Sequence, residues 1–132
     1  MRYQIPLLVL SVGQMCNLRC KNCANFVPYV PKELRRYPIE SIITDLESLF
    51  KVIGRIVHLQ IQGGEPFMYT DLPKLTSYLS ACSEVENIGV ATNGTITPKD
   101  EVWHNFSINN IAIRVSNYPQ NRGNLEKLLN KA

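Results

Sequence analysis

Apolar residues along this chain follow two rhythms, short unbroken runs and longer stretches spaced by three and four. Residues 7 to 12, LLVLSV, are a compact apolar run that stops at Gly13, which predicts a buried strand. Ile39, Ile42, Ile43, Leu46, Leu49, Phe50 and Ile53 share one helical face, with Pro38 before them and Gly54 after, so a helix is expected over 39–53. RIVHLQIQ, residues 55 to 62, predicts a second strand halted by Gly63 and Gly64. Asp71 is placed to cap a second helix running through Leu75, Tyr78, Leu79 and Cys82. ENIGVA (86 to 91) predicts a third strand before Asn93-Gly94, and Thr97-Pro98-Lys99-Asp100 reads as a cap, a first-turn proline and a first-turn acid. NIAIRVS (110 to 116) supplies a fourth strand, and Leu125, Leu128 and Leu129 a fourth helix. Residues 26 to 37, FVPYVPKELRRY, hold two prolines and four charges and predict an irregular, mobile connection.

Strand and helix alternating four times is the pattern of a parallel sheet with helical crossovers, an α/β class. Such sheets place their ligand sites at the C-terminal ends of the strands. The unusual residues gather there: cysteines after the first strand, Gly-Gly-Glu-Pro after the second, Thr-Asn-Gly after the third, Ser116-Asn117 after the fourth.

Composition narrows the picture. A chain of 132 residues with 45% apolar and 19% charged side chains predicts one globular domain. A net charge of +3 without a block of like charges does not by itself argue for nucleic acid. The N-terminal apolar run contains Pro6, is short and lacks a small-x-small cleavage site, so no signal peptide is expected, and no segment approaches the ~20 apolar residues of a membrane span. Without an export signal, four cysteines point to metal or redox chemistry in a reducing compartment and to a cytoplasmic protein.

Three of those cysteines, Cys16, Cys20 and Cys23, stand within eight residues. Thiolates bind soft and borderline metals. A structural zinc site takes four protein ligands, and here the fourth would have to come from His58, Cys82 or His104 in another unit. A 4Fe-4S cube held by three cysteines keeps one iron open for an outside ligand. The alternative is a non-catalytic iron-sulfur or zinc-binding module.

The C-x3-C-x2-C string after an N-terminal strand resembles the signature of the radical S-adenosylmethionine (radical SAM) superfamily, GGEP at 63 to 66 is similar to its second motif, and TNG at 92 to 94 to a softer third. The resemblance implies that Cys16, Cys20 and Cys23 ligate three irons of a 4Fe-4S cluster and that the amino and carboxylate groups of S-adenosyl-L-methionine chelate the fourth. One electron, delivered by an external donor such as flavodoxin or ferredoxin, then cleaves the sulfonium to methionine and a 5'-deoxyadenosyl radical that abstracts hydrogen from a substrate. Gly63 and Gly64 are expected to let the backbone approach the methionine end of the ligand, Glu65 to accept from its ammonium, and Pro66 to stiffen the turn. Thr92, Asn93 and Ser116 are expected at the ribose or carboxylate. Asn22 stands where the family often has an aromatic residue, so a contact to adenine there would use backbone. The family core is a partial parallel (β/α) barrel of six units, of which four are counted here. The resemblance therefore implies the N-terminal part of that core, inactive alone, with an open sheet edge able to pair with a second copy.

Other conspicuous residues have plainer readings. Cys82 is expected as a small core residue, His58, His104, Trp103 and Met15 as packing residues, and Asn117-Tyr118-Pro119 as a turn. Lys32, Arg35 and Arg36 are expected to keep their loop solvated.

Overall fold

A computed structural model describes residues 2–116 and 118–131; Asn117, assigned above to a turn, lies outside them. Strands β1 (Tyr3–Ser11), β2 (Ile53–Gln62), β3 (Val85–Thr92) and β4 (Ala112–Val115) form one sheet in the order β1-β2-β3-β4. Every pairing is parallel, and the connections carry helices α1 (Ile39–Phe50), α2 (Leu72–Ala81) and α3 (Asp100–Ile108), with α4 (Arg122–Lys131) after β4. The sheet does not close: β1 and β4 are its two edges. This is the expected partial barrel.

Register assigns the two faces. Leu8, Leu59 and Ile88 form one row, and Leu10, Ile61, Val90 and Ile113 the next. Helical Leu46, Phe50, Leu72, Leu75, Leu79 and Phe106 pack on these rows, and Leu59, Ile61 and Val90 are fully buried. Each such side chain contributes roughly 1.5–3 kcal/mol of transfer free energy. The opposite face carries the rows Leu7, His58, Asn87 and Val9, Gln60, Gly89, Ala112. It is the inner face of the open barrel, and Leu7 and Val9 remain 54% and 46% exposed there. A Cβ on Gly89 would stand 3.1 Å from His58 Cε1, so the imidazole lies across that glycine in a packing role.

Several boundaries differ from those expected. β1 begins at Tyr3 and runs through Pro6, because an edge strand needs donors on one side only. α1 stops at Phe50, and Ile53 opens β2 instead of closing the helix; its buried side chain fits the helical spacing but serves the sheet. Asp71 stands at the N-cap of α2 without a capping bond, its carboxylate turned to Arg36. α3 starts at Asp100 behind Lys99, leaving Pro98 outside, and Thr97 Oγ1 donates to Asn124 Oδ1 instead of capping. β4 spans four residues, with Asn110 in a left-handed conformation at φ 54° before it. The 26–37 connection contains two single 3-10 turns, Val27–Tyr29 and Lys32–Leu34, and buries Val27.

Candidate functional site

The cysteine loop leaves β1 and returns beside its own start. Gly13 and Arg36 form an antiparallel bridge, Gln14 N donates to Arg35 O at 2.6 Å, and Tyr37 N donates to Val12 O at 3.4 Å. Residues 14–35 thus form a loop closed at its neck. Arg36 holds that neck to the start of α2 through Asp71, Thr70 and a cation–π contact 5.6 Å from the Tyr69 ring centre.

The exit of β2 is fitted against this loop. Gly64 N donates to Gly13 O at 3.0 Å, Glu65 N to Met15 O at 2.6 Å, and Asn25 Nδ2 to Gly63 O at 2.6 Å. A Cβ on Gly63 would fall 2.3 Å from Gly13 O, and one on Gly64 2.2 Å from Met15 O. The room that these glycines leave is filled by the backbone ahead of the first cysteine. Their missing side chains serve loop docking before they serve any ligand.

Glu65 is 1% exposed. Its Oε1 accepts from Phe67 N at 3.1 Å and Thr92 Oγ1 at 2.7 Å, and its Oε2 accepts from Asn93 N at 2.7 Å. Burial pushes the carboxyl pKa up, while the Asn93, Thr92 and Phe67 donors pull it back. The carboxylate therefore joins the end of β2 to the end of β3. Glu65 and the equally buried Pro66 lie outside the lining of the cavity described next.

That cavity has a volume of about 390 Å³ at the C-terminal rim. Cys16, Cys20 and Cys23 line it from the first loop together with Asn22; Gly63 and Gly64 line it from the second, Thr92 and Asn93 from the third, and Ser116 from the fourth. Sequence reasoning missed Asn25, Gln62 and Tyr118, which also face it. Asn25 carried a signal in its place two residues after the third cysteine; Gln62 and Tyr118 are recognisable only from strand register and loop path. Among the described lining residues none is Asp, Glu, Lys, Arg or His.

All three cysteines are free and half-buried. Burial pushes the Cys16 thiol pKa up, and the Glu65 and Cys20 charges add to this; hydrogen bonds from Leu18 N and Asn93 Nδ2 oppose it. Among the described residues no three His, Cys, Asp or Glu side chains are gathered as ligands of one metal ion. Cube thiolates each bind a different iron and are splayed apart, so three free thiols around one cavity match that demand better than the tight tetrahedron of zinc.

Asparagines order the rim. Asn93 Nδ2 donates to Asn17 Oδ1 at 3.0 Å, Asn17 Nδ2 to Thr95 Oγ1 at 2.7 Å, and Thr95 Oγ1 back to Asn93 Oδ1 at 2.7 Å, a closed ring joining the cysteine loop to the third loop. Asn121 Nδ2 donates to Asn93 O and Ser116 O, tying in the fourth. A sequence pattern gives no hint of a ring between positions 17, 93 and 95, since it exists only once the strands are in register.

The model of the radical SAM superfamily matches residues 10–114. The chain belongs to the radical SAM superfamily. The family's cofactors are a 4Fe-4S cluster and S-adenosyl-L-methionine, and the three free cysteines on one cavity are suited to the first. A GTP 3',8-cyclase of Xanthomonas axonopodis pv. citri (strain 306) is 36% identical over 107 residues, covering 76% of this chain and 31% of that protein. One from Syntrophomonas wolfei subsp. wolfei is 28% identical over 135 residues, covering 94% of this chain and 40% of that protein. Molybdenum cofactor biosynthesis protein 1 of Drosophila melanogaster is 34% identical over 91 residues, covering 67% of this chain and 16% of that protein. The chain thus spans about a third of the length of the GTP 3',8-cyclases it matches. No helix among the described residues is long and apolar enough to cross a membrane.

Proposed function

We propose that this chain binds a 4Fe-4S cluster through Cys16, Cys20 and Cys23 and holds S-adenosyl-L-methionine in the cavity they line for radical chemistry on a substrate. The observation that carries the reading is the meeting of three free cysteines with the ends of β2, β3 and β4 around one cavity. When bound and reduced by an external one-electron donor, the cluster supplies the electron that cleaves the sulfonium, giving methionine and a radical able to abstract hydrogen.

The chain's own residues hold and enclose. A volume of about 390 Å³ suits a nucleoside-sized ligand. Thr92, Asn93, Ser116 and Gln62 offer hydroxyl and amide groups, and Asn22 offers backbone, as partners for a zwitterion and a ribose. Glu65 acts from beneath by fixing Thr92 and the Asn93 amide, and so positions the lining without joining it. Buried Val27 adds an apolar wall to the cavity that the thiols line.

The similar cyclases are named for GTP. The described lining has no Lys or Arg to meet a triphosphate, which favours this cavity as the cosubstrate site, with the substrate held elsewhere. Anaerobic reconstitution tests the reading. About four irons and four sulfides per chain, with methionine and 5'-deoxyadenosine released on reduction with the cosubstrate, are expected. One tightly held zinc and no cosubstrate cleavage would replace it with a non-catalytic module.

A further inference from the structure

The cysteine loop is set apart by its charge. Residues 14–37 carry five of the chain's 14 basic side chains and one of its 11 acidic ones, Glu33, leaving nine basic against ten acidic over all the rest. The protein's whole positive balance therefore sits on the loop. Arg19 and Lys21 flank Cys20, both are exposed, and neither they nor the exposed Lys32 enters an ion pair among the described residues.

Two aromatic side chains of the same loop are exposed as well. Phe26, three residues after Cys23, holds φ 55° and ψ 25° and is 65% exposed, and Tyr29 is 77% exposed. A bulky residue in the left-handed region is strained, and here the strained backbone presents a ring to solvent. Exposed rings and an unpaired arginine and lysines on one loop suit an interface in which charge steers the encounter and the rings make the contact.

We propose that this surface docks an acidic one-electron-donor protein, a small flavin or iron-sulfur carrier, with Arg19 and Lys21 steering the encounter and Phe26 and Tyr29 making the apolar contact. The inference rests on the cluster reading above and adds the partner's landing place. Cys16, Cys20 and Cys23 line the cavity while Arg19, Lys21, Phe26 and Tyr29 do not, so docking there brings the donor to the cysteine loop without entering the cavity. One electron leaves the donor's reduced flavin and enters the cluster; no bond forms and no proton has to move.

The test uses the intact protein with its cluster reconstituted, mixed anaerobically with an acidic flavodoxin in its hydroquinone form over a series of salt concentrations. Electrostatic steering predicts that the second-order rate of cluster reduction falls about tenfold or more between low and high salt. The Arg19→Glu/Lys21→Glu variant is expected to show about a tenfold slower rate at low salt, little salt dependence and a correspondingly weaker flavodoxin Kd. Its iron content and its reduction by dithionite should match wild type. Lys32→Glu, away from the ligands, gives a smaller change in the same direction and serves if the double variant loads poorly. Phe26→Gly should weaken docking while melting no lower than wild type, because glycine accepts that backbone; a merely structural phenylalanine would lower the melting temperature. Equal, salt-independent rates in wild type and variants, with dithionite reduction intact, overturn the docking surface alone. Failure of dithionite to reduce wild type overturns the cluster reading itself. Retention of a single-stranded RNA 20-mer that the double variant loses, with flavodoxin rates unchanged, would also overturn the proposal and assign the patch to nucleic acid.

Discussion

Adding one methyl group at Gly64 separates loop docking from ligand contact. An alanine Cβ there would lie 2.2 Å from Met15 O, 2.6 Å from Met15 C and 2.9 Å from Cys16 Cβ, all on the segment that carries the first cysteine. Ordinary contact begins at 3.4 Å, so the loop must retreat by about 1 Å at Met15. That retreat breaks Glu65 N to Met15 O and weakens Gly64 N to Gly13 O. Overpacking costs roughly 1–3 kcal/mol and each lost hydrogen bond about 1 kcal/mol, so Gly64→Ala should lose about 2–4 kcal/mol. A domain with 5–15 kcal/mol in hand stays folded. The displaced Cys16 should then hold the cluster poorly. Urea melts followed by circular dichroism, with iron per chain after anaerobic reconstitution, read both effects. Gly123→Ala is the control, since a Cβ at Gly123 in α4 meets nothing within 4 Å, and it should be neutral or stabilising by about 0.5–1 kcal/mol. If Gly64→Ala melted within about 0.5 kcal/mol of wild type and kept its iron, the loop would not be seated on that glycine.

Glu65→Gln replaces an oxygen that accepts the Asn93 amide or one that takes the Phe67 and Thr92 donors, so it should cost about 1–3 kcal/mol in a urea melt. The Glu65 pKa is raised in the folded state above its ordinary 4.5. The stabilising proton linkage is therefore complete below that value and is lost as pH rises through the folded pKa; the glutamine variant should lack this slope in stability measured across acid pH. Cys20→Ala should abolish iron loading while shifting the melting temperature of the metal-free protein little, because the side chain is half-buried and outside the core cluster; unchanged iron content would remove Cys20 from the ligands.

Every strand was legible as a short stretch rich in β-branched and apolar residues, with glycine or Asn-Gly stopping the first three. Three helices were legible from spacing and α3 from its start signal, and the spacing misled where neighbouring elements share one apolar rhythm: Ile53 continues the α1 stripe yet is the first residue of β2. Caps misled because Asp71, though at the N-cap of α2, turns to Arg36, and Thr97 stands two residues ahead of Lys99, where α3 is capped. The cysteines and the rim positions 92, 93 and 116 were legible as residues marking strand ends. The work done by GGEP was not. Gly63 and Gly64 leave space that the cysteine loop fills, and Glu65 spends its acceptors on β3, relations between positions about 30 to 50 apart that no local pattern encodes.

The most direct measurement is the electron paramagnetic resonance spectrum of the reduced, reconstituted cluster with and without S-adenosyl-L-methionine. An iron left open by three cysteines must change its ligand field when the cosubstrate's amino and carboxylate groups bind, so the spectrum should shift on addition and stay unchanged with methionine-free adenosine. An identical spectrum with and without the cosubstrate would mean that no coordination position is open, and the cavity beside Cys16, Cys20 and Cys23 would have another use.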